Sequence, residues 1–219
     1  MAKLVLFGAG DIARLAHYYF STDSEHDVVA FTVDAAYRTA DQFEELPLVA
    51  VEEVASRYPP PDFKMFVALS YTGMNRVRAE KYAQMKTLGY DLVSYVSSRC
   101  SYLSPYQPGD NCFILEDNTI QPFVRIGNDV TLWSGNHIGH DSTIGDHCFI
   151  SSHVVVSGHV DIGPSCFIGV NATLRNSISI AERTLIGAGA VIMKNTRPGS
   201  VYPGPRAERI PRTSDQMDL

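Results

Sequence analysis

Five histidines crowd the stretch between residues 133 and 159: His137, His140, His147, His153 and His159. Neutral imidazole has two uses at ordinary pH. It ligates a transition metal, or it carries a proton. Three imidazoles that converge and leave one coordination position open would hold zinc for a hydration or hydrolysis. One imidazole with a carboxylate at its second nitrogen would act as a general base on a hydroxyl or amine. That is the chemistry needed to move an acyl group off a thioester. The neighbours His140 and Asp141, in GHDSTIGD, have the second composition. Asp141 or another acid would play the carboxylate, because adjacent side chains on a strand diverge. Where the backbone sends each ring decides between the two uses.

The backbone is specified by an aliphatic residue at every sixth position. From Ile114 the series runs through Ile120, Ile126, Leu132, Ile138 and Ile144, and continues without insertion to Ile192. Two residues before each stands a mostly small one, such as Cys112, Asn136, Ser142, Cys148, Cys166 or Ala172. A hexapeptide repeat of this length predicts a β-helix. Each hexad is a short strand and a corner, both repeated residues point inward, and three hexads close one coil. Residues eighteen apart then lie one strand spacing apart, about 4.8 Å. Glycine follows the aliphatic residue at Gly127, Gly139, Gly145, Gly163, Gly169 and Gly187, where it is expected to ease the corner dihedrals.

This geometry sorts the histidines. His147, His153 and His159 each fall three places after an inward aliphatic residue, on successive hexads. They face three different sides and do not converge within one chain; for them zinc would need convergence between copies of the chain. His140 follows inward Ile138 by two and sits at a corner, outside the core. Gly158 lies one coil later, where its amide could serve the oxyanion formed at a thioester carbonyl. Cys112, Cys148 and Cys166 hold inward positions, so packing is expected of them rather than reactivity.

Residues 1–99 follow a different rule. KLVLFGAG, HDVVAFTVD, FKMFVALS and DLVSYVS read as strands. Between them DIARLAHYYF, VEEVASRY and GMNRVRAEKYAQMKTLG read as helices, the first capped by Asp11 and the second closed by Pro59, Pro60 and Pro61. The alternation predicts a small parallel sheet with helices on its faces. GAGDIA fits G-x-G-x-x-A between a strand and a helix, with Asp34 ending the second strand. The motif suggests a nucleotide site with phosphate at the helix N-terminus and ribose on Asp34. No hydride-transfer domain follows. Arg76 and Arg78 could neutralise phosphate or belong to a solvated face.

An α/β domain (1–99) joined to an unbroken hexapeptide domain (100–219) resembles the NeuD/PglD-like sugar acyltransferases. These are the sialic acid O-acetyltransferase and UDP-amino-sugar N-acetyltransferase type. The likeness rests on His140-Asp141, CFIGVNATL, LIGAGAVI and VYPGPRAERI. It implies a Rossmann-like N-terminal domain, a left-handed parallel β-helix, a homotrimer with active sites between neighbouring helices, and acetyl-CoA as co-substrate. It further implies His140 as base, with Asp141 raising its basicity, and a nucleotide-linked sugar held by Gly8, Ala9, Gly10, Asp11, Asp34 and Ser70. Val170 and Ala188 would meet coenzyme A through their backbones. Phe149 occupies the position where many relatives carry a second histidine on the acyl donor, and Asp11 replaces a histidine after the glycine turn. Hexapeptide trimers also include γ-class carbonic anhydrases, whose zinc site uses histidines five residues apart. Here successive spacings are three, seven, six and six. A non-catalytic nucleotide-binding scaffold is a further alternative.

The chain has 219 residues and a net charge of −6, giving no reason to expect nucleic acid or an anionic membrane as partner. No apolar run approaches the roughly 20 residues of a bilayer span. The N-terminus has no signal-peptide pattern, and a cytoplasmic protein that needs no metal is expected.

Overall fold

A computed structural model describes residues 2–60 and 62–217. The first half comprises β1 (Lys3–Phe7), α1 (Asp11–Thr22), β2 (Asp27–Val33), β3 (Gln42–Phe43), β4 (Leu46–Ala50), α2 (Val51–Arg57), β5 (Phe63–Val67) and α3 (Arg76–Thr87). The sheet order is β3-β4-β2-β1-β5. All its pairs are parallel except the short hairpin β3–β4. β1 is buried on both sides because its side chains alternate between two apolar layers. Leu4 and Leu6 pack with Phe20 of α1, while Val5 and Phe7 pack with Val54 of α2 and Met85 of α3. The sequence reading missed the hairpin. Its turn is Glu44-Glu45, both at positive φ, where glycine or asparagine is the usual signal.

Other boundaries differ from expectation. Asp11 does not cap α1; Gly10 is the cap residue, and the Asp11 carboxylate accepts from Arg14 instead. α2 ends at Arg57, before Pro59; Pro61 lies outside the described residues. The run from Asp91 to Ser97 splits. Leu92 makes one parallel bridge to Met65, while Tyr95–Val96 pairs with Phe113–Ile114 in the coil.

From Tyr95 onward the chain winds as a three-faced parallel β-helix. Strands pair eighteen residues apart, as in Thr131 with Phe149, His137 with Val155 and Thr143 with Asp161. The first face contains Phe113–Ile114, Thr131–Leu132, Phe149–Ile150 and Phe167–Ile168; the second contains His137–Ile138 and Val155–Val156; the third contains Arg125–Ile126 and Thr143–Ile144. Every aliphatic residue of the six-residue series is at most 6% exposed, and so is every small residue two before it. Buried polar members of that series are satisfied. Asn118 Oδ1 accepts from the Asn136 amide, and Asn136 Oδ1 from the Val154 amide.

A left-handed residue marks each corner, six apart: Asn111, Asp117, Phe123, Asp129, Gly135, Asp141, His147 and onward to Gly189. The glycines that follow the aliphatic residues are outside this series, which corrects the expectation that they ease corner dihedrals. A Cβ on Gly139 would lie 2.5 Å from the Gly158 nitrogen, and one on Gly127 would lie 2.9 Å from that of Asp146. Close approach of the next coil, not φ, requires them.

The N-terminal sheet rests on the first face. Phe113 and Leu115 share an apolar cluster with Phe20, Phe66 and Tyr95. One buried cation ties the two parts. The Arg78 side chain is 2% exposed and donates to the Asp129 carboxylate and to the carbonyls of Asp129, His147 and Cys148. Arg78 is therefore neither a phosphate ligand nor part of a solvated face, and exposed Arg76 pairs with Glu80. Among the described residues no helix is long and apolar enough to cross a membrane.

Candidate active site

The corner between the second and third faces carries the first group. His140 Nδ1 lies 2.8 Å from Asp141 Oδ2. Their side chains meet, although neighbours on a strand diverge, because Asp141 holds the left-handed corner (φ 56) and swings back beside His140. With Nδ1 on the carboxylate, Nε2 is the nitrogen left for proton transfer. It faces Gly158: a Cβ there would lie 2.7 Å from Nε2 and 2.9 Å from Cε1. The eighteen-residue register thus stacks the backbone of Gly158 against the imidazole, as the sequence predicts. Both side chains are open to solvent, His140 at 52% and Asp141 at 43%. A solvent-facing base needs another surface to exclude water from its reaction.

His147, His153 and His159 do occupy three different corners. The sequence reading did not pair His159 with His140. Nineteen residues, one coil and one step, bring their rings edge to face, with centroids 4.9 Å apart. One ligand atom from each of His140, Asp141 and His159 lies within 4.8 Å of the others.

The second group lies along the edge between the first and second faces. Ser152, Val170 and Ala188 follow one another at eighteen-residue intervals there. Among the described residues, the amides of Gly158, Val170 and Ala188 donate to no group. Phe149 points away from the coil but is 3% exposed, covered by Tyr71 and stacked on Phe167. With Tyr71, Trp133 and Val170 it walls a cavity of about 230 Å³.

The third group is the glycine turn. Gly8 has φ +130, and a Cβ would lie 2.7 Å from the Ala68 carbonyl oxygen, so only glycine lets the ends of β1 and β5 come this close. Gly8, Ala9, Asp34 and Ser70 line a cavity of about 480 Å³. Gly10, Asp11 and Ser70 line an adjoining one of about 370 Å³, which Tyr71 separates from the aromatic cavity. Sequence reasoning missed Lys81. It reaches back from α3, forms an ion pair with Asp34 and lies over the Phe7 ring, 5.5 Å from its centroid. It puts a cation on the cavity wall, where a phosphate would be attracted. Nothing local in the sequence marks it, since its partner is 47 residues away.

The second and third groups adjoin at Tyr71, and the His140 group stands apart from them within one chain. The N-terminal sheet covers the first face and holds both its edges, through Arg78 at one and the Tyr19–Glu116 hydrogen bond at the other. His140 stands on the edge opposite that face.

Residues 124–158 match the bacterial transferase hexapeptide family (six repeats). A UDP-N-acetylglucosamine O-acyltransferase of Burkholderia lata that uses acyl-[acyl-carrier-protein] is 29% identical over 83 residues, 38% of this chain and 32% of that protein. The chain thus matches about a third of the length of this curated relative. Two solved structures cover nearly all of it. The acetyltransferase domain of PglB from Neisseria gonorrhoeae has a TM-score of 0.79 at 21% identity, covering 92% of this chain and 96% of that one. PerB from Caulobacter crescentus, solved with coenzyme A and GDP-perosamine, has 0.79 at 20% identity, covering 92% and 93%. At this identity the likeness shows a shared fold: an α/β sheet carried on a hexapeptide coil.

Proposed function

We propose that the chain is an acetyl-CoA-dependent acetyltransferase acting on an amine or hydroxyl of a nucleotide-linked sugar. The observation that carries the reading is the exposed His140, with Nδ1 on Asp141 and Nε2 against Gly158. The fold shared with structures that hold coenzyme A and a nucleotide sugar supports it. In this reading residues 1–99 form a Rossmann-like nucleotide-sugar domain and residues 100–219 a left-handed β-helix that performs the transfer. Gly8, Ala9, Gly10, Asp11, Asp34 and Ser70 hold the nucleotide sugar. The backbones of Val170 and Ala188, with Phe149, meet the donor. The protein works in the cytoplasm as a homotrimer. One copy's His140 serves donor and acceptor bound on its neighbour, and that contact supplies the missing water-excluding surface.

The acceptor loses a proton to His140 Nε2 as its nitrogen or oxygen forms a bond to the thioester carbonyl carbon. Asp141 stabilises the imidazolium. The oxyanion is held by backbone N–H groups including that of Gly158. Collapse breaks the C–S bond, and the coenzyme A thiolate leaves and takes up the proton. No acyl-enzyme forms on cysteine in this scheme. Cys112, Cys148 and Cys166 are fully buried inside the coil, where a thioester does not reach them, and burial pushes the Cys112 thiol up to about 12.

The test is transfer from acetyl-CoA to UDP-, GDP-, CMP- and dTDP-linked amino and hydroxy sugars. At least one is expected to be acetylated, with His140→Ala lowering kcat by roughly 10² or more. Near-native turnover by that variant refutes the base.

A further inference from the structure

The edge that carries His140 holds a second kind of site. Two imidazoles and a carboxylate form a zinc donor set. His140, Asp141 and His159 present one, with ligand atoms within 4.8 Å of each other and all three residues exposed. Their backbones are already fixed together. Asp141 and His159 both hold left-handed corners (φ 56 and 57), and the His159 amide donates to the His140 carbonyl at 2.9 Å. Zinc bonds of about 2.0–2.1 Å place tetrahedral ligand atoms roughly 3.3 Å apart. Turning the exposed His159 side chain between rotamers closes the difference at little cost.

We propose that His140, Asp141 and His159 bind a zinc ion, which occupies an imidazole lone pair and so blocks transfer. The ion is an inhibitor here, not a cofactor. Binding itself does not depend on the functional reading; its effect on transfer rests on His140 being the base. A zinc ion held by both His140 and Asp141 takes the place of the proton on Nδ1, where the two side chains meet; that proton moves to Nε2, whose lone pair is then lost to the acceptor, and water fills the remaining coordination positions.

The test is calorimetric titration of the whole, chelator-stripped protein with zinc chloride, in wild type and in His159→Asn. Asparagine tolerates the left-handed corner, so the variant keeps the fold. The expected result is one zinc per chain, bound at least about tenfold more weakly in His159→Asn, the smallest loss anticipated for a site that loses a ligand. Asp141→Asn, also compatible with its corner, should weaken binding similarly. Absence of stoichiometric binding, or full affinity in His159→Asn, overturns the site. Zinc that binds there while transfer runs undiminished contradicts the base, not the metal site.

Discussion

At the scale of single residues, the reading depends on where one nitrogen points. On its Gly158 side, His140 Nε2 meets backbone alone because residue 158 is glycine. Gly158→Ala would place a methyl 2.7 Å from that nitrogen. The exposed ring can swing away, so stability should change by no more than about 0.5 kcal/mol. The base would then be misplaced, and kcat should fall by roughly 10- to 100-fold. A variant that turns over like wild type removes Gly158 from the site. The outward place of His140 was legible because period six converts sequence position into direction; its role as base came from the resemblance. The Asp141 contact was less so, since it needs the corner's left-handed dihedral, which aspartate hides better than glycine. His159 and Lys81 were not legible as neighbours of His140 and Asp34. Each pairing joins separate coils or elements, and a single sequence carries no mark of it.

At the scale of elements, one buried ion pair docks the sheet on the coil. Asp129 is fully buried and accepts from Arg78, Asn111 and His147. Asp129→Asn keeps a residue that tolerates the corner but leaves the Arg78 charge uncompensated, a loss of about 3 kcal/mol or more. Urea unfolding measures it; a loss below about 1 kcal/mol contradicts the docking role. Arg78 lay in a legible helix, yet whether it faced solvent, phosphate or the coil depended on a surface contributed from 51 residues away. A second tie is acid-sensitive. Hydrogen bonds from Ser98 and Tyr95 hold the Asp23 carboxyl at about 2, below its ordinary 3.8. A depressed folded value means that its stabilisation is present above the unfolded value and is lost as pH falls from 3.8 towards 2. Wild type should lose stability across that window, and Asp23→Asn should lose less there while being weaker at pH 7. Identical acid titrations of the two proteins would remove Asp23 from the account.

At the scale of the whole molecule, base and nucleotide cavity are separated by the width of a coil. The sheet occupies one face and His140 the opposite edge, so in the proposed reading a working site takes its base from one copy and its cavity from another. The six-residue period was enough to expect the coil. The trimer entered only by resemblance, because a repeat specifies how a chain winds and not what lies against its outer faces. Symmetry gives a direct test. His140→Asn removes the base and Asp34→Ala opens the cavity wall, so each alone should be nearly inactive. Co-assembled in equal amounts, about one quarter of the sites should pair an intact base with an intact cavity if the site is shared between copies. Transfer activity near that fraction of wild type is the predicted result. Activity no greater than the sum of the two separate variants would contradict it, placing base and substrate on one chain.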